Sequence, residues 1–392
     1  MKALFLAHSF PRWLSDPVGS FVLRLAVALR EQGIEVRVIA PSAEGLAMRE
    51  EFDGIPVRRF RYAPSTSMET LAYSGTMRDR VGSSPVAAAL MASLVGFDFL
   101  AAMSEAGDFA PDVVHAHWWF PGGLVASGVR SMRGVPSVVT MHGSDVRIAR
   151  SSPRAGKLFR YVAQRSDRMT AVSAWLAREA TAVAPSATPA VIPMPIVPGM
   201  FTPGVHATDD RLLFVGKLNE QKGIRHLLGA LARTRHTASL DIVTGVGSDE
   251  GATRRLASEL GVAARIRWHP LLQHDELAAL YRAATVLVMP SIDEGLGLVA
   301  AEALLCGTPV VAFDSGGVPD IVHHGETGLL VPPGDAGALA GAIDDLLDRP
   351  DRGESLGRAG REFVMRTMSP DAVATKFRDV YLEARAARDR AR

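Results

Sequence analysis

Twice in its 392 residues the chain runs through the same plan: an unbroken apolar stretch, a polar loop bearing glycine or proline, then a helix pattern. KALFLAHSF (Lys2 to Phe10) leads into Phe21, Leu25, Ala28 and Leu29 at helical spacing. RLLFVGKLN (Arg211 to Asn219) leads into Gly223, Leu227, Leu228 and Leu231. The first unit goes on with VRVIAP, DVVHAH, SVVTMHG and MTAVS, the second with LDIVTG, RIRWH, TVLVMPS and PVVAF. Strands that read as short β-branched runs, rather than alternating with polar residues, are buried on both faces. The pattern therefore predicts two doubly wound α/β domains, each a parallel sheet under two helical layers. A chain of this length also exceeds one ordinary core. Prolines 193, 195, 198 and 203 crowd the stretch between them, which cannot be a regular element. The expected domains are 1–200 and 201–369. An amphipathic tail, 370–388, with Val373, Phe377, Val380, Tyr381 and Ala384 on one face, should pack back on the first.

In such sheets ligands bind outside the carboxyl ends of the strands, so two facing sheets make a cleft. Residues at the predicted strand ends are the candidates. In PSIDEGLGLVAAEALLCG, a strand end passes into a glycine loop and then a helix that stops at Gly307. Glu294 and Gly295 lie in the loop. Gly297, Leu298 and Val299 supply the open amides of the helix end, which suit phosphate. Glu302 sits a turn or more inside, and an ionised carboxylate is an acceptor suited to sugar hydroxyls. In VGKLNEQKG, Lys217 and Lys222 fall within six residues, although the whole chain has only five lysines. Compact ammonium groups suit a diphosphate. In HAHWWFPGG, His115 and His117 share one side of a strand, and His117 at its end is the better placed to meet substrate. MHGSD brings His142 and Asp145 to another strand end, and Gly19 precedes the first helix where a backbone can approach a ligand closely.

Other features exclude. A formal net charge of +1 argues against nucleic acid as a partner. The single Cys306 excludes an intramolecular disulfide and multi-cysteine metal sites, and no third ligand accompanies the histidines, so no metal site is expected. No Asp-x-Asp pair is present, and GVG at Gly245–Gly247 lacks the third glycine of a dinucleotide fingerprint. MKALFLAHSF is too short for a signal peptide, and Val86–Met103, interrupted by Asp98, reads as a buried helix, so a cytoplasmic location is expected. Between Arg147 and Arg168 seven basic residues oppose Asp167 alone; this stretch fits either anionic lipid at the inner membrane face, an acidic acceptor, or a solvated helix face.

With these residues in order, the sequence resembles the retaining nucleotide-sugar glycosyltransferases of the GT-B fold (family 4 of the sequence classification). FPRWLSDPVGSFV, DVVHAHWWFPGG with VTMHGSDV, VGKLNEQKG, and PSIDEGLGLVAAEALLCGTPVVAFDSGGVPDIVHHGETGLLVPPGD carry the resemblance along nearly the whole chain. It implies that Glu302 holds the donor ribose, Glu294 the donor sugar, and Lys217, Lys222 and the backbone of Gly297–Val299 the diphosphate. His117 would lie near the anomeric centre, Gly19 between donor and acceptor, with Asp145 and His142 toward the acceptor. Two departures are Lys217, where the family commonly has arginine, and Pro193-Met194-Pro195-Ile196-Val197 at the hinge in place of Pro-Asn-Gly-Val-Asp.

The implied reaction moves a sugar from a nucleotide diphosphate to a hydroxyl of a glycan, glycolipid or small molecule, without metal or bound cofactor, in polysaccharide or cell-surface glycan assembly. Two other classes fit the fold: a non-catalytic nucleotide-sugar or glycan-binding subunit, and a GT-B epimerase. A phosphorylase of the glycogen type would need a pyridoxal lysine, for which five lysines leave little room.

Overall fold

The apolar runs become strands in the computed structural model, which describes residues 1–14, 16–73, 85–204, 210–245 and 248–390. Val246 and Gly247 of the GVG stretch lie outside the described residues. The chain forms two compact units, Met1–Pro195 joined by Pro370–Arg392, and Ile196–Ser369. The division falls at Pro195, inside the proline-rich stretch and five residues before the boundary expected at 200.

Among the described residues the first unit carries eight strands: β1 (Lys2–Ala7), β2 (Glu35–Pro41), β3 (Arg49–Phe52), β4 (Ile55–Phe60), β5 (Val113–His117), β6 (Ser137–Met141), β7 (Arg168–Ala171) and β8 (Ala190–Val191). Their order across the sheet is β3-β4-β2-β1-β5-β6-β7-β8, and all pairs are parallel except β3 with β4. Every residue of β5 and β6 is buried, as a sheet covered on both faces requires. The exception, β3–β4, is an edge hairpin turning at Asp53 and Gly54, both at positive φ (48° and 73°). Sequence reading passed over it because REEF is polar, although Asp-Gly is a strong short-hairpin signal.

The tail is the helix Pro370–Arg390, which belongs to the first unit and packs on the helix Ser20–Glu31 and on β5, β6 and β7. Val373, Phe377, Val380, Tyr381 and Ala384 are its buried face, and burying Phe377 alone contributes roughly 2–3 kcal/mol. Tyr381 Oη lies 2.7 Å from His115 Nδ1, while His115 Nε2 lies 2.6 Å from Thr140 Oγ1, so the helix is keyed to β5 and β6 through one histidine.

One expectation is corrected here. The helix Pro85–Phe109 includes the Val86–Met103 stretch, yet it is not buried all round; Val86, Phe97 and Leu100 are exposed. An apolar composition cannot tell a core helix from one that packs along a single stripe.

Among the described residues the second unit has six parallel strands: β9 (Arg211–Gly216), β10 (Ser239–Thr244), β11 (Ile266–His269), β12 (Val286–Met289), β13 (Val310–Phe313) and β14 (Leu329–Val331), ordered β11-β10-β9-β12-β13-β14. Its core joins Phe214, Leu227, Leu228, Ile242, Val288 and Phe313 with the helix Ala336–Asp348. In each sheet one neighbouring pair is where the strand order reverses, β1/β5 in the first and β9/β12 in the second. Those are the places where helices diverge to opposite faces and leave a crevice at the strand ends.

Candidate active site

In the second unit the crevice is built from two loops, one after β9 and one after β12. The β9 loop carries Lys217 and Lys222; the β12 loop carries Glu294. Hydrogen bonds to backbone carbonyls stitch them together. Ile292 N–H donates to Gln221 O (2.7 Å), and Gln221 Nε2 donates to Asp293 O (3.3 Å). Gly223, at φ 68°, lies against the Pro290 carbonyl so closely that a Cβ there would collide with it. Gly316, at φ 63°, lies on the Glu294 backbone in the same way, and Gly317 N–H donates to Glu294 O (2.8 Å). Asp293 itself takes φ 53°, a conformation costly for a non-glycine residue, and its N–H is caught by Ser315 Oγ at 3.0 Å.

This framework brings Lys222 Nζ onto Glu294 Oε2 in an ion pair. Lys222 is further set by Asn219 Oδ1, which accepts from its backbone N–H at 2.9 Å. Lys217, just after β9, is exposed. The helix Leu298–Leu305 starts at Gly297, whose φ of 95° favours glycine, and a Cβ there would sit 3.1 Å from Met289 Cε. The amides of the first turn are the ones a helix leaves unpaired. Glu302, 9% exposed, is the fifth residue of this helix and accepts from Tyr281 Oη at 3.0 Å. Burial, then the Glu302 charge, pushes the Tyr281 hydroxyl well above the usual phenol range, so it stays protonated and donates at any working pH. Tyr281 comes from the helix His274–Ala283 and was not found by sequence reading; it is 21 residues from Glu302, and only the fold makes them neighbours.

In the first unit the crevice holds histidines from three adjacent strand ends: His8 after β1, His117 at the end of β5, and His142 after β6. His117 Nδ1 lies 3.2 Å from His142 Nε2 with the rings stacked at 26°, and Trp118 packs on both His8 and His142. Burial alone lowers His8 to about 4. Burial, followed by the charge of neighbouring histidines, holds His117 and His142 well below the usual range. The cluster is therefore a set of neutral hydrogen-bonding rings, not a cationic one. His117 is 0% exposed, deeper than the sequence implied, and its Nε2 and His8 Nδ1 find no hydrogen-bond partner among the described residues. Gly19, at φ 69°, caps the helix Ser20–Glu31 directly against the Ser9 carbonyl, where no side chain fits.

Asp145 was expected to face an acceptor. In the structure it is 2% exposed and organises its own loop. Its Oδ1 accepts from the N–H groups of His142 (3.2 Å), Gly143 (2.9 Å) and Val146 (3.0 Å), and its Oδ2 from Trp119 N–H at 3.3 Å. A short carboxylate beside four free amides is consumed by them, and nothing in the spacing of MHGSD reveals that. Among the described residues no group of three His, Cys, Asp or Glu side chains is arranged to hold a metal ion.

Comparison with known proteins adds to this geometry. A family model described as "Glycosyl transferases group 1" matches residues 201–363, and one described as "Glycosyl transferase 4-like domain" matches residues 18–195. The D-inositol 3-phosphate glycosyltransferase of Thermobispora bispora is 31% identical over 93% of this chain and 89% of its own. The glycogen synthase of Mycobacterium tuberculosis is 27% identical over 98% and 95%. Among solved structures, sucrose-phosphate synthase of Thermosynechococcus elongatus superimposes with a TM-score of 0.81 at 26% identity, over 98% of this chain and 99% of that one.

Proposed function

The chain belongs to the group 1 glycosyltransferases, enzymes of the GT-B fold and family 4 type, and from that premise we propose that it transfers a hexosyl group from a nucleoside diphosphate sugar to an acceptor hydroxyl with retention of configuration. The second unit takes the donor. Glu302, held by Tyr281, accepts from the ribose hydroxyls; the first-turn amides at Leu298 and Val299 with Lys217 and Lys222 meet the diphosphate; Glu294 and the amide of Gly295 meet the sugar. The observation that carries this reading is the Lys222–Glu294 ion pair on two loops held together by a backbone hydrogen bond and by the Gln221 side chain. It places one cation and one acceptor carboxylate side by side beside a helix terminus, as a sugar joined to a diphosphate requires.

In the reaction the bond from the anomeric carbon to the diphosphate oxygen breaks, and the leaving group takes the electron pair. Lysine charge and helix-end amides stabilise that developing charge, so the site needs no metal. The acceptor oxygen attacks from the face the diphosphate leaves, and a donor phosphate oxygen takes its proton. No covalent glycosyl-enzyme step is part of this proposal: Glu294, paired with Lys222, and Glu302, bonded to Tyr281, act as hydrogen-bond acceptors for the donor. On the first unit the proposed contributors are His117, a neutral ring fixed by His142, and Gly19. Relatives named for inositol 3-phosphate, glycogen and sucrose phosphate support an acceptor hydroxyl on a small molecule or a glycan.

Lys222→Ala tests this. Turnover should fall about 100-fold or more, with weaker binding of the nucleoside diphosphate. Normal turnover and normal nucleotide affinity would remove Lys222 from the donor site. Thermal stabilisation across UDP-, GDP- and ADP-sugars then identifies the donor.

A further inference from the structure

The helix Pro85–Phe109 has a mean hydropathy of 2.0 over its most apolar 18 residues, yet only 28% of that window is buried. One stripe, with Met91, Leu94, Asp98 and Glu105, packs on the unit's own sheet. The opposite stripe faces out: Val86 is 64%, Phe97 49% and Leu100 62% exposed. Large apolar side chains in a row on a surface mark an interaction site.

The helix Leu124–Arg133 lies alongside; a Cβ on its Gly128 would sit 2.7 Å from the Phe99 ring, and Arg133 Nη2 donates to Met103 O at 3.2 Å. The helix Pro153–Arg165 packs next to it. Across these three helices the exposed cations are Arg133, Arg154, Lys157 and Arg160, and the exposed acids number one, Asp108. The other two acids are buried: Asp98 at 3%, and Glu105 at 2%, where it is paired with Arg37 and Arg58. Tyr161 is 43% exposed with the Arg165 guanidinium 3.9 Å over its ring, and Met132 is 67% exposed.

We infer that this three-helix face docks on an anionic lipid surface. Val86, Phe97 and Leu100 enter the headgroup boundary, Tyr161 sits at it, and long basic side chains reach the phosphates. The helix lies on the bilayer rather than crossing it, because its other stripe is committed to the sheet and carries Asp98 and Glu105. A second copy of the chain is disfavoured, since the same cations would oppose one another. None of the residues of this surface is assigned to the donor or to the proposed chemistry.

The protein is sedimented with vesicles of phosphatidylcholine alone or with phosphatidylglycerol, alongside F97S/L100S and R154E/K157E. Wild type should bind phosphatidylglycerol vesicles, release at high salt, and bind phosphatidylcholine poorly. Each double variant should lose about tenfold or more in partitioning, with thermal unfolding and turnover on a soluble acceptor unchanged. The inference is overturned if wild type ignores phosphatidylglycerol vesicles at low salt, or if both variants bind them like wild type. It is equally overturned if light scattering shows a dimer that F97S/L100S dissociates while vesicle binding is untouched.

Discussion

Tyr281→Phe isolates the hydrogen bond behind the ribose carboxylate. It deletes one buried oxygen and leaves the ring, which Phe201 packs at 5.9 Å between centroids. The lost bond is 3.0 Å long, from a fully buried phenol to a carboxylate 9% exposed. A hydrogen bond to a charged group contributes about 1.5–3 kcal/mol. Unit Ile196–Ser369 spans 174 residues, so about 2 kcal/mol should lower its melting temperature by about 4–8 °C. If the bond also aims Glu302 at ribose, nucleoside diphosphate affinity should fall about tenfold, equivalent to about 1.4 kcal/mol. Titration calorimetry on Tyr281→Phe, Glu302→Gln and the double variant closes a cycle. A coupling of about 1 kcal/mol or more is expected, because Tyr281 acts on ligand only through Glu302. Zero coupling, with melting lowered and affinity intact, would show that Tyr281 merely fills the core and that ribose is held elsewhere.

Asp98 makes stability pH-dependent. Burial raises its pKa from 3.8 to about 8, so between those values the unfolded chain has released a proton that the folded one keeps. Stability contributed by the protonated carboxyl is complete below pH 3.8 and declines as pH rises toward 8, at about 1.4 kcal/mol per pH unit. Asp98→Asn does not titrate, so its stability relative to wild type should climb by about 3–4 kcal/mol from pH 5 to pH 8; a constant difference in denaturation midpoints would contradict this. Gly223→Ala should cost more than Gly261→Ala, although the two φ values, 68° and 71°, are alike. Only Gly223 meets a neighbour, the Pro290 carbonyl, so beyond about 1–3 kcal/mol of shared backbone strain it should also displace the Glu294 loop and depress turnover. Equal stability and equal turnover in the two variants would show that the loop contact carries nothing.

Much of this protein was determined locally. Parallel strands buried on both faces must be continuous apolar runs, and LFLA, VVHAH, LVM and VVAF announce themselves as such. The end of the helix at Gly307, which takes φ 82°, follows from glycine's freedom there. The amphipathic tail states that it needs a partner surface, and the structure supplies β5–β7. The positions of Glu294, Glu302, Lys217 and Lys222 relative to their own strands and helices were likewise legible.

What the sequence could not carry is whatever depends on two distant segments meeting. Tyr281 supports Glu302, Gly316 underlies Glu294, and Lys222 meets Glu294 across 72 residues, because β9 and β12 are neighbours where the sheet order reverses. Asp145 turned inward because four unpaired amides surround it, and His117 sank to full burial among Phe5, Trp118 and His142. The outer stripe of Pro85–Phe109 stayed exposed because one sheet face can cover only one side of a helix. Local pattern selects strand, helix and loop, since those are decided by sterics and periodicity within a few residues. Which charges are paired, which are buried and which are left for a ligand is decided only when the strand order brings segments together and removes the water between them.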